Sequence, residues 1–233
     1  MNELLWPVML AVNFGFILFS YKMFGRPGLY AWVPLAAIVS NIQVIKLVEL
    51  FGITATLGNI VYASSFLVTD ILSEMYGKKQ AEKAVFIGLF SLVAMTVLMN
   101  LALWFTPAPD DFTQDSLANI FGFMPRIAAA SLLAYLVSQL HDVWAYDFWR
   151  RRFPGLRRIW LRNNASTMVS QFIDSTVFTV LAFWGVFPPA VLVQIFWTTY
   201  LLKWVVGVAD TPFIYLARHW FDQGKIPGTD TAA

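Results

Sequence analysis

The sequence predicts an all-α integral membrane protein, a polytopic helical bundle of about seven spans forming one domain, and three observations predict it. First, 58% of the 233 residues are hydrophobic and 13% are charged, with a mean hydropathy of +0.63. A surface that meets water normally needs about a quarter charged residues. Soluble enzymes, disordered chains and collagen-like fibres are therefore excluded. Second, the apolar residues gather into runs of roughly 20, the length that crosses a bilayer. Third, basic residues are rich in every other segment between those runs.

The runs are 4–24, 30–50, 54–76, 82–105, 124–148, 165–184 and 190–217. The first is expected to be a span and not a removable signal, because it lacks a basic leader, is too long, and no A-x-A site follows it. Turn-forming residues separate the runs: Gly25, Pro27 and Gly28; Gly77; Pro107, Pro109 and Asp110; Pro154 and Gly155; Pro188 and Pro189. There is no internal repeat, low-complexity tract or linker. Cysteine is absent and only His141 and His219 are available as imidazoles, so no disulfide framework, thiolate nucleophile or histidine-rich metal site is expected.

The sixteen Lys and Arg set the orientation. The first inter-run segment holds Lys22 and Arg26, the third Lys78, Lys79 and Lys83, and the fifth Arg150, Arg151, Arg152, Arg157, Arg158 and Arg162. Arg218 and Lys225 follow the last run, whereas the fourth segment offers Asp110, Asp111 and Asp115. This alternation places the N-terminus outside and the C-terminus in the cytoplasm. The cluster at 150–158 is read as topogenic and lipid-facing, not as a nucleic-acid site. Tryptophans 6, 32, 104, 149, 160, 184 and 220 fall near run ends, as an interfacial belt does.

Lys46, Arg126, Lys203, Glu49, Asp70, Glu74, Asp142, Asp174 and Asp210 remain inside or at the edges of runs. A charge in hydrocarbon costs at least about 2.5 kcal/mol, so such groups face a polar interior. Asn59, Tyr62, Phe66, Thr69, Asp70 and Ser73 share one helical face. So do Asn164, Thr167, Gln171, Asp174 and Phe178, while Phe196, Lys203 and Asp210 recur seven apart and Asn41, Gln43, Lys46 and Glu49 gather on the second run. Acids, amides and hydroxyls beside aromatics suit a flat, polar heterocycle. Lys46 and Glu49 equally fit a pair snorkelling at a membrane face, and Asn100 and Gln194 are expected to join helices. Asp70, Asp174 and Lys203 are expected to bind ligand or couple transport, with a structural Lys203–acid lock as the plainer reading.

Specific blocks carry a resemblance: Ser40-Asn41; the run Phe66-Leu67-Val68-Thr69-Asp70-Ile71-Leu72-Ser73-Glu74-Met75-Tyr76-Gly77; Ser138-Gln139-Leu140-His141-Asp142; Ala165-Ser166-Thr167; Asp174-Ser175-Thr176; and Lys203. Over about residues 35 to 218 the chain resembles the queuosine precursor transporter family, also called the vitamin uptake transporter family. The resemblance implies a bacterial inner-membrane importer of 7-cyano-7-deazaguanine, 7-aminomethyl-7-deazaguanine or queuine, serving queuosine salvage for tRNA modification. It also implies a six-helix core similar to the substrate-binding components of energy-coupling-factor transporters. On that basis residues 1–28 form an additional N-terminal helix, 29–220 the core and 221–233 a cytoplasmic tail. A homodimer or an energising partner is left open. No phosphate-cradling G-x-x-x-x-G-K-(S/T) is present, and no cofactor is expected.

The expected mechanism is that of a secondary or facilitative carrier. Asp70, Glu74 or Asp174 would accept the N–H edge of the base, and Asn41, Asn164, Gln171 or Lys203 would donate to its oxygen. Tyr62, Phe66, Phe178 or Trp204 would stack on the ring. An alternative is a vitamin-binding or other purine-binding component working with an ATPase module. A remote one is a seven-helix retinal photoreceptor with a Lys203 Schiff base, but Thr199 stands four residues before the lysine, where an acid is expected. An intramembrane enzyme would need more than His141-Asp142, whose side chains point about 100° apart on a helix. His141 is expected to serve as a hydrogen-bonding residue at the cytoplasmic edge.

Overall fold

The computed structural model describes residues 1–44, 46–50, 53–122, 125–185 and 188–228. The last five residues of the expected tail lie outside them. Helices dominate: α1 (Asn2–Phe24), α2 (Arg26–Gln43), α3 (Asn59–Tyr76), α4 (Lys78–Ala102), a short α5 (Gln114–Leu117), α6 (Pro125–Arg152), α7 (Ile159–Phe183), α8 (Pro189–Ala209) and α9 (Thr211–Asp222).

Three expected runs are cut differently, 30–50 and 54–76 by one hairpin and 190–217 by a break. The run 30–50 stops being helical after Gln43, and β1 (Leu47–Leu50) pairs antiparallel with β2 (Ile53–Thr56) in a hairpin, with Leu47 opposite Thr56 and Leu50 opposite Ile53. The all-α expectation is corrected to that extent. Val48, Ile53, Thr54 and Thr56 are β-branched types, which favour a pleated strand over a helix. Lys46 and Glu49 are exposed there, so neither reaches an interior polar face. The run 190–217 is divided at Asp210 into α8 and α9. Pro212 has no N–H to donate to the preceding turn, which breaks the hydrogen-bond ladder at this point.

α3 is the axis of the bundle. It packs against α1, α2, α4, α6, α7, α8 and α9, and residues 59–61 and 63–74 of this 18-residue helix are all buried. Its small residues, Ala63, Ser64 and Ser65, permit close helix approach without a hydrophobic driving force. α6 and α7 pack as a hairpin of helices alongside it. α1 is tied in by Phe14 against Phe213 of α9, with ring centroids 4.6 Å apart, and by a hydrogen bond from Asn13 to Ser64 Oγ. The α1–α2 turn depends on Gly25, whose φ is +61°. A Cβ there would also lie 2.3 Å from the Pro227 carbonyl oxygen, so no other residue fits.

Polarity is inverted relative to a water-soluble domain. Valines, leucines and aromatics are exposed along α1 (Val8, Val12, Phe16, Phe19), α4 (Phe86, Phe90, Val97) and α8 (Val193, Trp197, Leu201), while acids, amides and hydroxyls fill the interior. Asn2–Phe24, Lys78–Ala102 and the stretch Leu192–Asp222 through α8 and α9 are long and apolar enough to cross a membrane. α3, α6 and α7 are comparably long, but their polar residues are turned inward. The chain is thus a helical membrane protein. Between α4 and α5, Asp111 Oδ1 accepts the Thr113 backbone N–H and its hydroxyl, both at 2.7 Å, which holds this exposed carboxyl below its usual range.

Candidate functional site

The central polar cluster takes one side chain from each of four helices. Asp174 on α7 accepts at Oδ1 from the Tyr62 hydroxyl of α3 and, at 3.1 Å, from Ser138 of α6. Its Oδ2 accepts from the Lys203 ammonium of α8, which also lies 4.6 Å from the centroid of the Tyr62 ring. Asp174 is 2% and Lys203 5% exposed. A pair this deep holds only while both partners are present; removing one costs about 3–5 kcal/mol. Phe66 and Tyr135 meet the Tyr62 ring edge-on, at 6.3 and 6.0 Å.

Unpaired polar atoms surround this cluster. Gln171 is wholly buried, one turn before Asp174, and neither its amide nitrogen nor its oxygen finds a partner among the described residues. Ser175 Oγ, Thr179 Oγ1 and Trp204 Nε1 are also buried without one. Residues 171, 175 and 179 are four apart, so they form a single stripe on α7. A polar group buried without a partner is costly, about 1–3 kcal/mol. Such a stripe beside a buried ion pair is what a polar ligand would satisfy.

Two turns along α3 lies a second cluster. Asp70, Asp142 of α6 and Asp210 at the α8–α9 junction are all without exposure. Thr167 donates to Asp70 Oδ2 at 3.3 Å and Asn163 to Asp210 Oδ1 at 2.6 Å. Gly207 admits Thr167 to this position: a Cβ at Gly207 would lie 2.8 Å from Thr167 Cγ2.

A third cluster closes the end of α3. Glu74 accepts from Arg162 (2.5 Å) and Arg218 (3.4 Å) at Oε1 and from Tyr146 (3.0 Å) at Oε2, while Arg150 donates to the Ser73 and Glu74 carbonyls. Arg162 is wholly buried and also binds the Phe153 carbonyl at 2.8 Å. Reading Arg162 and Arg150 as loop charges alone is therefore corrected: both pin the C-terminal end of α3, where cations suit the helix dipole.

Of the residues singled out from sequence, the structure brings Tyr62, Phe66, Asp174 and Lys203 together, with Gln171 adjoining and Trp204 following Lys203 on α8. Asp70 and Glu74 occupy the two other clusters. Asn164 bonds to the Trp160 carbonyl and Thr211, at 2.7 and 2.8 Å, and Asn41 to its own helix at Ala37. Phe178 packs edge-on against Phe183 at 5.7 Å. Asn100 bonds back to the Thr96 carbonyl of its own helix and Gln194 is exposed, so neither shows the helix-joining bond expected of it. Arg126 caps α7 by donating to the Leu181 and Trp184 carbonyls at 2.7 and 2.6 Å. His141 pairs with Ser170 at 2.9 Å. The sequence reading missed Asn163 and Tyr135. Asn163 was hidden because Asn164, its neighbour, fitted the same periodicity; only the helix rotation separates them.

Comparison with known proteins follows the same direction. The family described as "Putative vitamin uptake transporter" matches residues 56–217. The chain is 45% identical over 217 residues, 93% of its length and 95% of the relative's, to a protein of Bacillus subtilis (strain 168) named "Probable queuosine precursor transporter". It is 28% identical over 151 residues, 64% of this chain and 65% of the relative, to the "Queuosine precursor transporter" of Escherichia coli (strain K12). A "Probable queuosine precursor transporter" of Haemophilus influenzae is 27% identical over 161 residues, 68% of this chain and 66% of the relative. No solved structure matches the chain.

Proposed function

Because this chain belongs to the vitamin uptake transporter family, whose members are transporters and not enzymes, we propose that it imports queuosine precursors across a bacterial inner membrane. The substrates on this reading are 7-cyano-7-deazaguanine, 7-aminomethyl-7-deazaguanine or queuine, carried by a secondary or facilitative mechanism. The names of the relatives support the substrate class. The observation that carries the site is the buried Asp174–Lys203 pair with the unpaired Gln171 amide beside it.

The chemistry of that pair is complementary to a guanine-type edge. Such an edge presents an acceptor at O6 beside donors at N1 and the 2-amino group. Lys203 supplies donors only and Asp174 acceptors only, set side by side. On binding, the base inserts its N–H donors at Asp174 while Lys203 turns to O6, so the ion pair is exchanged for two charge-assisted contacts. Gln171 meets the remaining edge, and Tyr62 and Phe66 flank the ring. Adenine would place a donor against Lys203 and is rejected by buried groups left unpaired.

Seven spans fit this reading: α1, α2, α3, α4, α6, α7, and α8 continued by α9, with the N-terminus outside and Arg150–Arg152 in the cytoplasm. α1 then stands as an addition to a six-helix core. The test is binding to detergent-purified protein, comparing queuine and the two 7-deazaguanines with guanine and riboflavin. A deazaguanine is expected to bind selectively, with Asp174→Asn weakening it about 100-fold, the scale of a lost contact to a buried charge. Binding of riboflavin alone, or an unaffected Asp174→Asn variant, would overturn the assignment.

A further inference from the structure

The carboxylates of the second cluster lack donors. Among the described residues, Asp70 Oδ1, both oxygens of Asp142 and Asp210 Oδ2 show no hydrogen-bond partner. The nearby hydroxyls already have other acceptors: Ser166 bonds to the Asn163 carbonyl (3.1 Å), Ser170 to the Ser166 carbonyl (2.8 Å), and Thr167 to Asp70. The surplus of acceptors is not confined to acids. Asn163, wholly buried and bonded to Asp210 through its nitrogen, leaves Oδ1 unpartnered. Gln171, one turn along α7 from Thr167 and on the same side, is wholly buried with both amide atoms unpartnered among the described residues.

Nor is positive charge supplied. On α8, Lys203 is held by Asp174. On α7 and α9, Arg162 and Arg218 are held by Glu74, and Arg150 of α6 by the carbonyls at the end of α3. Tyr146 of α6 donates to Glu74 as well, and His141 is turned to Ser170. Three buried carboxylates without a cation would repel one another in a medium where such charges are already costly. A proton bound among them relieves that repulsion. Asp70 and Asp210 are bonded to Thr167 and Asn163, one turn apart on α7, and among the described residues no acid group is arranged to hold a metal ion.

We propose that Asp70, Asp142 and Asp210 form a proton-binding site and that its occupancy drives import of the base bound at Asp174 and Lys203. The step is a proton transfer alone. Water delivers a proton to an Asp142 or Asp70 oxygen, forming an O–H that donates to the facing carboxylate, and the proton leaves to water on the other side after the helices reorient. Coupling follows from shared elements: α3 carries both Tyr62 and Asp70, about 12 Å apart along the axis, and α7 carries both Asp174 and Thr167. A shift of α3 against α7 alters both sites together. The proposal deepens the import reading and rests on it for the identity of the cargo.

The experiment uses the full chain in liposomes enclosing a pH-sensitive dye, with labelled 7-aminomethyl-7-deazaguanine or queuine outside. Base-dependent acidification of the lumen is expected, and an inward proton gradient should accumulate base at least tenfold. Asp142→Asn should lose accumulation yet keep exchange of labelled for unlabelled base across the membrane. Infrared difference spectra should show a protonated carboxyl band at neutral pH in the unmodified protein that Asp142→Asn diminishes. Base entry without proton movement, entry driven only by a sodium gradient, or absence of the carboxyl band overturns the proposal. A carboxyl band present with no deazaguanine bound or moved would uphold the proton site and overturn the choice of substrate instead.

Discussion

Gln171→Leu separates a ligand contact from a structural one, because the two readings predict opposite signs. Gln171 is wholly buried on α7 and neither end of its amide meets a protein group. Leaving one such group unsatisfied costs about 1–3 kcal/mol. Leucine is similar in length, places no polar atom there, and contributes favourable burial of its own. The variant should therefore be more stable than the parent by about 1–3 kcal/mol. At the same time it should bind deazaguanine at least tenfold more weakly, since a base edge that meets the amide would now face a methyl group. Unfolding in detergent, followed by tryptophan fluorescence with and without ligand, reads both effects from one titration. A ligand that stabilises the parent but not the variant, although the unliganded variant is the more stable, is the expected pattern. A variant that is destabilised and binds normally would refute the reasoning, because the amide would then be making a structural bond.

Three further outcomes follow from the other clusters. Lys203→Met should destabilise the protein by about 3–5 kcal/mol by stranding the Asp174 carboxylate, and adding Asp174→Asn should recover most of that loss, as measured by unfolding of single and double variants. Glu74→Gln should weaken folding on a similar scale by stranding the buried Arg162 guanidinium, while folded material should bind base with unchanged affinity. Replacing both Lys46 and Glu49 by alanine should leave stability within about 0.5 kcal/mol and uptake unchanged, because both side chains are exposed at the hairpin.

What could be read from the sequence was set by how each signal is encoded. The inward faces of α3 and α7 followed from spacing alone: Tyr62, Phe66 and Asp70 on one helix, and Thr167, Gln171 and Asp174 on the other, do line facing stripes. Hydropathy does not separate a β-branched hairpin from a helix, so 47–56 was absorbed into neighbouring spans. Charge sorting treats every arginine near a span end as topogenic, and it hid Arg162, whose role depends on the fold of 153–158 back against Glu74. Asp70, Asp174 and Lys203 were picked out because they are charged. Which acid received the lysine was decided by the third dimension.

The order of charge along α3 then carries the mechanism. Asp174 and Lys203 beside Tyr62 cancel, so on the proposed reading that site can exchange its internal pair for the uncharged guanine-type edge of a base without either charge losing a partner. Eight residues on, about 12 Å along the axis, Asp70, Asp142 and Asp210 gather three acids and no cation. Four residues further, Glu74 is met by Arg162 and Arg218, with Arg150 on the adjacent carbonyls, which gives a surplus of positive charge at the helix end. A uniform column of paired charges would be a rigid strut. This column is paired at its arginine end and neutral at the proposed base site, and acids without a cation lie between them among the described residues. An unbalanced layer flanked by two balanced ones changes its net charge on protonation more readily than either neighbour, because its carboxylate oxygens have no cation to hold them charged among the described residues. α3 contacts every other long helix, so on this proposal a change of charge at Asp70 and Asp142 reaches the helices that carry Asp174 and Lys203.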